Sequence, residues 1–306
     1  MPLPVVDAEW GYVTRYVSGN YDVETDNGLL RCQLRGRLKK RRVDGDLVAL
    51  GDRVRVQRQP DGSGTIEEVA ERGKSLVRNI ETLNRGYQQV LLANADQVVC
   101  VFACAKPRVN FRLLDRFLVV TEKQELPAII VANKTDLADE EVLAGFRRYE
   151  GLGYRVIYTS AKTGEGLEEL RTALTGKISA LAGPSGVGKS SLLNALQPEL
   201  GLQVGRVSEY HSKGRHTTVI RQMFPLEGGG YVADLPGIRS LALWDIQAEE
   251  LDGYFPELRG LVQNCQYNDC THRSEPGCAV LAAVKAGTVS EERYDSFIRL
   301  RSGEEE

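Results

Sequence analysis

The chain has 306 residues, of which 42% are hydrophobic and 26% are charged, and its formal net charge is −3. This length accommodates two or three domains, and the composition is typical of a soluble globular protein. No apolar run approaches the roughly 20 residues that span a membrane. The first residues lack the basic and apolar segments of a secretory signal. We therefore expect a cytoplasmic protein.

Residues 1–75 contain short runs in which polar and apolar residues alternate, such as Gly11–Val17, Leu29–Leu34 and Arg53–Gln57. Turn signals such as Asp26-Asn27-Gly28 separate these runs. Several short strands in so small a segment predict an all-β barrel of the OB-fold type. The segment from Arg72 to Arg78 is expected to be a linker.

Seven basic residues and no acidic residue occur between Arg31 and Arg42. Such a run can contact the phosphate backbone of a nucleic acid. A solvated loop explains the same charge pattern equally well. The run alone does not decide between these interpretations.

From about residue 80 onward, strand-like runs alternate with helical segments, which predicts a parallel sheet flanked by helices. The fold class is therefore α/β, with domains expected at residues 1–75, 76–243 and 244–306. The last domain is expected to be mostly helical, and its final helix is predicted to begin with a capping box at Thr288–Glu291. The predicted strands are Gln97–Ala103, Ala128–Ala132, Arg155–Tyr158, Ile178–Ala182 and Tyr231–Ala233, and the predicted helices include Asp139–Tyr149, Leu167–Leu174 and Ser190–Leu196.

A glycine-rich segment between a predicted strand and a predicted helix fits the pattern G-x-x-x-x-G-K-[ST]. Its backbone N–H groups are expected to bind phosphate oxygens at the positive end of the helix. Lys189 is expected to contact the β- and γ-phosphates, and the Ser190 hydroxyl to ligate Mg²⁺. The predicted nucleotide-binding residues here are Gly183, Pro184, Ser185, Gly186, Val187, Gly188, Lys189, Ser190 and Ser191.

Two polar segments after other predicted strands indicate that the nucleotide is GTP. The Asp136 carboxylate can accept hydrogen bonds from two donors of guanine that adenine lacks. After another strand, a backbone N–H near Ala161 can contact the guanine carbonyl oxygen. The predicted guanine-binding residues are Asn133, Lys134, Thr135, Asp136, Ser160, Ala161 and Lys162.

The remaining parts of a GTP site follow the phosphate loop in the chain. Asp234 is expected to hold Mg²⁺ through water, with the Gly237 N–H near the γ-phosphate. We choose Thr218 over Thr217 as a further magnesium ligand, although both threonines also fit the start of a strand. Thr218 is accordingly predicted to be part of the catalytic site together with Lys189.

The order of these motifs along the chain is unusual. In ordinary GTPases the phosphate loop comes first and the guanine-binding loops come last. Here Asn133 and Ser160 precede Gly183, and Asp234 comes last. The sequence therefore predicts a circularly permuted GTPase domain, whose γ-phosphate-sensing loop leads directly into the C-terminal domain.

Three of the six cysteines lie near the C-terminus, together with one of only three histidines. Cys265, Cys270, His272 and Cys278 offer three thiolates and one imidazole within 14 residues. This set suits one structural Zn²⁺, which would stabilise a domain too small for a large core. The other cysteines, Cys32, Cys100 and Cys104, are expected to be buried thiols.

The β-barrel start, the permuted motifs ending in Asp234-Leu-Pro-Gly237 and the Cys-x4-Cys-x-His-x5-Cys pattern together resemble the ribosome small-subunit-dependent GTPases, the RsgA family. The resemblance covers essentially the whole chain. It implies that the small ribosomal subunit and its rRNA are partners, that the chain assists late subunit maturation, and that hydrolysis is slow until the subunit binds. We expect a monomer.

Ile238 occupies the position where small GTPases carry a glutamine that orients the attacking water. This agrees with slow turnover by the chain alone. We hypothesise that His216 positions water once the subunit orders its loop, although an exposed histidine without a catalytic role is an equal alternative. Two other functions stay open: a GTP-gated RNA-binding scaffold, and a GTPase acting on another RNA such as tRNA.

Overall fold

The computed structural model describes residues 8–39, 45–82, 85–203, 221–235 and 246–304. The described chain comprises an N-terminal barrel, a central sheet with helices on both faces, and a helical C-terminal region. Among these residues, no helix combines the length and the apolar character needed to cross a membrane.

The barrel consists of five strands, which pair in the order β1-β2-β3-β5-β4 and close because β1 also pairs with β4. Strand β2 buries every second residue, as expected when one face of a strand packs on a core. The core includes Val13, Val23, Val54 and Ile66, which are fully buried. The closed five-stranded barrel agrees with the predicted OB-fold. The strands are β1 Glu9–Val17, β2 Asn20–Thr25, β3 Gly28–Leu34, β4 Arg53–Arg58 and β5 Gly64–Val69, and a short helix α1, Gly36–Lys39, follows β3.

Between the barrel and the central sheet, the chain forms the hairpin β6 Leu76–Thr82 and β7 Arg85–Leu92. Part of the predicted linker, Arg72–Arg78, therefore belongs to strand β6. Arg72 is also fixed, because its guanidinium pairs with the buried Asp52 carboxylate at 2.7 Å.

The central sheet has the strand order β10-β9-β8-β11-β13-β12, in which β12 alone runs antiparallel to its neighbour. Every residue of β8 is buried, because helices cover both faces of the sheet. The strands are β8 Gln97–Ala103, β9 Ala128–Asn133, β10 Arg155–Thr159, β11 Ile178–Ala182, β12 Gln222–Pro225 and β13 Tyr231–Asp234. Each predicted strand is present, and three of them extend one residue further than predicted.

Four helices pack on the central sheet in two layers. Helices α2 Phe111–Lys123 and α3 Glu140–Gly151 pack on one face, and α4 Leu167–Leu174 and α5 Lys189–Leu196 pack on the other. Helix α2 was not predicted. Its sequence signal is Asn110, whose side chain caps the helix by accepting a hydrogen bond from the Leu113 N–H.

The C-terminal region, residues 246–304, consists of short helical segments around a small core of its own. The final helix begins at Glu291, two residues later than a cap at Thr288 predicts, and its cap is Ser290, whose hydroxyl accepts from the Arg293 N–H at 3.2 Å. The predicted cap, Thr288, instead donates its hydroxyl to the carbonyl of Ala283 and so closes the preceding helix. The segments are two 3₁₀ helices, Ala248–Tyr254 and Val262–Asn264, and the helices α6 Pro256–Arg259, α7 Ala279–Lys285 and α8 Glu291–Arg301.

Candidate nucleotide and metal sites

Four predicted site segments lie at one edge of the central sheet. Strands β9, β10, β11 and β13 are parallel, so their carboxyl ends meet at the same edge. In α/β sheets, ligands bind outside the carboxyl ends of the strands. The four segments at the ends of these strands are the base turn (Thr135–Leu137), the base loop (Ser160–Gly166), the phosphate loop (Gly183–Gly188) and the pair Asp234 and Leu235.

The phosphate loop needs glycine at defined positions. Gly183 has φ +141°, and a Cβ there would lie 2.1 Å from the Val101 carbonyl oxygen. Gly188 has φ +98°, and a Cβ there would lie 2.5 Å from Nδ2 of Asn133. Only glycine fits such close approaches at positive φ. The loop is therefore packed tightly against the ends of β8 and β9, directly before α5.

Lys189, the first residue of α5, lies across the phosphate loop. Its ammonium donates to the carbonyl oxygens of Gly183 at 2.8 Å and Pro184 at 2.9 Å. These contacts hold a positive charge beside the loop's backbone N–H groups. The arrangement suits an anion such as phosphate.

The residues before the base turn connect it to the phosphate loop. The buried Asn133 amide donates to the Val187 carbonyl at 2.8 Å and accepts from the Thr159 hydroxyl at 3.2 Å. Lys134 has φ +65°, and its ammonium donates to the Gly186 carbonyl at 2.7 Å. Burial lowers the pKa of Lys134, although Asp136 opposes this effect. Asn133 and Lys134 therefore join two loops that are far apart in sequence.

Asp136 lies in the base turn and is held by the base loop. Its Oδ1 accepts from the Ser160 hydroxyl at 2.8 Å, and the Lys162 ammonium lies 3.8 Å from Oδ2. Ser160 is fully buried, so its hydroxyl provides a fixed donor. The predicted guanine-binding residues are thus brought together by direct contacts.

Asp234 ends β13, which pairs with β11, the strand that leads into the phosphate loop. Burial raises the pKa of the Asp234 carboxyl, and the charge of Lys189 opposes this rise. A buried carboxylate near a phosphate site is a suitable partner for a hydrated cation. The predicted residues His216, Thr217, Thr218, Gly237 and Ile238 lie outside the described residues.

The predicted metal ligands Cys265, Cys270, His272 and Cys278 form one cluster, whose donor atoms all lie within 4.8 Å of one another. Nδ1 of His272 is 3.6 Å from Sγ of Cys265 and 3.4 Å from Sγ of Cys278. Donors bound tetrahedrally at Zn–S and Zn–N distances of about 2.3 and 2.0 Å would lie roughly 3.5 Å apart. The cluster therefore fits a tetrahedral metal ion.

Two neighbours of the metal cluster were not predicted from the sequence. Nε2 of His272 lies 3.4 Å from Oδ2 of Asp252, and the Tyr294 hydroxyl donates to the His272 carbonyl at 2.7 Å. A carboxylate at the outer nitrogen favours the orientation in which Nδ1 faces the metal. The three other cysteines, Cys32, Cys100 and Cys104, are buried outside the cluster, as predicted.

Arginines of the basic run, residues 31–42, pair with acidic residues elsewhere in the barrel. Arg31 pairs with Asp22 at 3.1 Å, and both Arg35 and Arg37 pair with Glu67. These acids lie outside the run, so the folded barrel partly neutralises a segment that has no acid of its own. Residues 40–42 of the run lie outside the described residues.

Comparisons with known proteins identify the family and agree with the fold. The RsgA GTPase family model matches residues 69–244, and the model of the RsgA N-terminal domain matches residues 10–66. A protein of Gemmatimonas aurantiaca named small ribosomal subunit biogenesis GTPase RsgA is 45% identical over 295 residues, covering 95% of this chain and 96% of the relative. A protein of the same name from Moorella thermoacetica is 42% identical over 288 residues, covering 94% of each.

Two solved structures resemble the chain over nearly its whole length. The crystal structure of YjeQ from Thermotoga maritima matches with a TM-score of 0.76 and 38% identity, covering 97% of this chain and 99% of that one. YloQ, described as a circularly permuted GTPase, matches with a TM-score of 0.73 and 30% identity, covering 99% and 97%. The chain therefore belongs to the RsgA family and has the fold of a circularly permuted GTPase.

Proposed function

We propose that this GTPase acts in the biogenesis of the small ribosomal subunit, and that binding to the subunit stimulates its hydrolysis of GTP to GDP and phosphate. The observation that carries the proposal is the meeting of the permuted motifs at one sheet edge, in a chain whose relatives are named small ribosomal subunit biogenesis GTPases. The domain boundaries that we propose are residues 75/76 and 243/244.

The phosphate half of the proposed site comprises the phosphate loop, α5 and Asp234. The loop N–H groups and the Lys189 ammonium bind the phosphates, and Ser190 and Ser191 lie in the first turn of α5 beside them. Ser190, Thr218 and Asp234 would hold Mg²⁺. Mg²⁺ supplies positive charge at the β- and γ-phosphates. The Gly237 N–H lies near the γ-phosphate in this proposal.

The guanine half comprises the base turn and the base loop. Asp136 accepts from the ring N–H and the exocyclic amine of guanine, and the Ala161 backbone N–H donates to the guanine carbonyl oxygen. Asn133 supports this recognition through its contact with Val187, which ties the base turn to the phosphate loop. Adenine offers neither donor and would leave the Asp136 carboxylate without them, which disfavours ATP.

The hydrolytic step depends on residues from the segment 214–218 and on the subunit. Ile238 has no group that can orient water, so turnover by the chain alone is slow. His216 takes this role once the subunit is bound. Subunit-stimulated turnover of His216→Ala tests this assignment, and an unchanged rate would remove His216 from the mechanism.

The metal cluster holds one structural Zn²⁺ through Cys265, Cys270, His272 and Cys278. With four protein ligands, the ion has no open position and organises the C-terminal region around it. Cys270→Ala should lose the bound zinc, whereas Cys32→Ala, which removes a buried thiol from the barrel, should retain it. Zinc content measured by elemental analysis distinguishes the two.

The partners in this proposal are GTP, GDP and the small subunit with its rRNA, which a monomer of this chain binds. The barrel contributes arginines whose side chains are largely exposed even though they are paired, such as Arg31 and Arg37. Because such surface pairs are weak, a phosphate backbone competes with the acids for these arginines. Binding should therefore weaken as salt is added.

The deciding experiment measures GTP turnover with and without purified small subunits across a range of salt concentrations. We expect strong stimulation at low salt that declines as salt rises. A change in affinity without a change in rate would favour a GTP-gated RNA-binding scaffold, and stimulation by tRNA would favour another RNA substrate. No stimulation at low salt would contradict the ribosomal proposal and leave GTP binding intact.

A further inference from the structure

The base loop contacts the base turn at two adjacent residues. At one end of the loop, the Ser160 hydroxyl donates to Oδ1 of Asp136 at 2.8 Å. Near the other end, Oε2 of Glu165 accepts from the Thr135 hydroxyl at 2.5 Å. The residue that reads guanine and the residue before it are therefore held by opposite ends of the same loop.

The backbone of the base loop fixes the direction of the Glu165 side chain. The Ser160 N–H donates to the Glu165 carbonyl at 3.1 Å, and the Gly164 N–H donates to the Ser160 carbonyl at 2.9 Å. Gly166 has φ +68°, and a Cβ there would lie 1.9 Å from the Tyr158 carbonyl oxygen. These hydrogen bonds join the two ends of the base loop. Glu165, which lies between Gly164 and Gly166, therefore has little backbone freedom.

We infer that Glu165 is a positioning residue for guanine recognition, acting through Thr135 on the Asp136 carboxylate. The inference rests on the proposed function, because it requires Asp136 to bind guanine. It assigns a role to a side chain that touches neither the base nor the phosphates.

The geometry gives the physical reason for this role. A carboxylate that accepts from both the ring N–H and the exocyclic amine must keep both oxygens in the plane of the base. The Ser160 hydroxyl restrains Oδ1, whereas Oδ2 has only a 3.8 Å ion pair with the highly exposed Lys162 side chain, so the carboxylate can still rotate about the bond to Ser160. The bond from Thr135 to Glu165 anchors the start of the 3₁₀ turn that carries Asp136 and so restrains this rotation. Losing the anchor weakens the guanine contacts without changing the phosphate loop.

The test compares the affinities of the full chain for GDP and for inosine diphosphate, which lacks the exocyclic amine. For Glu165→Ala, we expect GDP affinity to fall about fivefold, equivalent to about 1 kcal/mol, as for one hydrogen bond. Inosine diphosphate should lose less, because one of the two contacts to Asp136 is already absent. The preference for GDP should therefore shrink.

Companion variants separate positioning from a general loss of structure. Thr135→Val should reproduce the Glu165→Ala effect, and the double variant should add nothing further, because both changes remove the same hydrogen bond. Glu165→Gln retains an acceptor oxygen and should recover most of the affinity. Glu168→Ala removes a nearby exposed carboxylate that pairs with Arg171 in α4, and it should leave both affinities unchanged.

Kinetics provide a second readout. With subunit stimulation, Glu165→Ala should raise KM for GTP and leave kcat unchanged, since the phosphate contacts are intact. An unchanged preference for GDP in both Glu165→Ala and Thr135→Val would overturn the inference. If the wild-type chain does not prefer GDP over inosine diphosphate, the proposed guanine recognition itself is wrong.

Discussion

The two ends of the chain are attached to the central domain in different ways. The barrel is attached through backbone pairing, since β1 pairs with β12 at Arg15 and Gln222 and the Ala93 N–H donates to the Leu50 carbonyl at 2.7 Å. Uncharged side chains add to it, such as Tyr12, whose ring contacts that of Tyr231. The C-terminal region is attached through buried charges, centred on Arg293 of α8. Backbone pairing therefore contributes to one attachment, whereas the other is centred on a few buried charged side chains.

The charged attachment lies between α2, α6 and α8. The Arg293 guanidinium contacts Oδ1 of Asp115 at 2.6 Å and Oε1 of Glu257 at 2.6 Å, and none of the three side chains is more than 7% exposed. The Tyr149 hydroxyl also donates to Asp115 at 2.6 Å. Burial opposes the charge of Arg293, but the two carboxylates outweigh it and raise its pKa. The cluster joins the C-terminal region to the guanine side of the central sheet.

The order of segments in the chain and the packing connect the C-terminal region to different parts of the central domain. The loop predicted to sense the γ-phosphate directly precedes the C-terminal region in the sequence, which leads to the expectation that hydrolysis moves that region. However, Val119 of α2 packs within the C-terminal core, and α2 lies between the strands β8 and β9 in the chain. The barrel, in contrast, pairs with β12, which neighbours the Asp234 strand. The C-terminal region thus docks on α2, beside the strands of the proposed guanine site, and the barrel pairs with β12, beside the Asp234 strand.

The largest effect is expected from Arg293→Ala, which removes the buried cation between Asp115 and Glu257. Breaking a buried ion pair by deleting one partner typically costs about 3–5 kcal/mol, because the remaining charge stays uncompensated. The free energy of unfolding, measured by denaturant titration of zinc-loaded protein, should fall by this amount. A loss below about 1 kcal/mol would contradict the view that this cluster anchors the region.

The pH dependence of the free energy of unfolding of Arg293→Ala serves as a control for this prediction. Burial raises the pKa of Asp115 above that of the unfolded chain, and Arg293 opposes the rise. Without Arg293, the pKa of Asp115 in the folded state should rise further. The folded state then binds a proton that the unfolded state does not, so stability falls as pH increases. The deficit of Arg293→Ala should therefore be larger at neutral pH than at mildly acidic pH.

On the barrel side, adding a single Cβ at Gly51 should disrupt a close backbone contact and lower the stability. Gly51 has φ +84°, and a Cβ there would lie 2.3 Å from the Ala93 carbonyl oxygen. Gly62 has the same φ of +84° but no heavy atom within 4 Å of its Cβ position. Positive φ alone costs an alanine about 1 kcal/mol, and forcing apart a packed contact adds about 1–3 kcal/mol.

We therefore expect Gly51→Ala to lower the free energy of unfolding by about 3 kcal/mol, against about 1 kcal/mol for the matched variant Gly62→Ala. Denaturant titration of both variants measures the difference between their losses of stability. Because Gly51 and Gly62 have the same φ, this difference reports the cost of the close approach alone. Equal losses would show that the close approach of Gly51 to the Ala93 carbonyl does not constrain the barrel.

The sequence predicted the parts of the molecule whose signals are local. Strand β8 is a continuous apolar run, and each nucleotide motif directly follows a strand, so the site edge could be deduced from the chain alone. The predicted metal ligands could also be identified from the sequence, because all four lie within one short segment.

The parts that the sequence did not predict depend on partners distant in the chain. Arg293 meets Asp115 across 178 positions, and Arg37 meets Glu67 across 30. No periodicity or composition signal connects such residues. For the same reason, no sequence pattern singles out Glu165, although its partner Thr135 belongs to the predicted guanine-binding segment. Helix α2 is different, because Asn110 and the apolar run after it provide a local signal.

The smallest effect is expected from Arg112→Ala. This variant removes a second ion pair between α2 and α8, in which α2 supplies the arginine and α8 the aspartate. Arg112 of α2 contacts Asp295 of α8 at 2.9 Å, while Arg293 of α8 contacts Asp115 of α2 at 2.6 Å. The chemistry of the two pairs is the same, but the Arg112 and Asp295 side chains are 53% and 43% exposed. Water and salt screen such a pair, so the loss should stay below about 1 kcal/mol.

Measured together by denaturant titration, the two variants separate burial from charge. If burial determines the strength of the attachment, Arg293→Ala costs several times more than Arg112→Ala, and added salt reduces only the smaller loss. Similar losses in the two variants would mean that the whole rim of ion pairs between α2 and α8 holds the C-terminal region. The attachment would then be a distributed electrostatic contact, and high salt should weaken it as a whole.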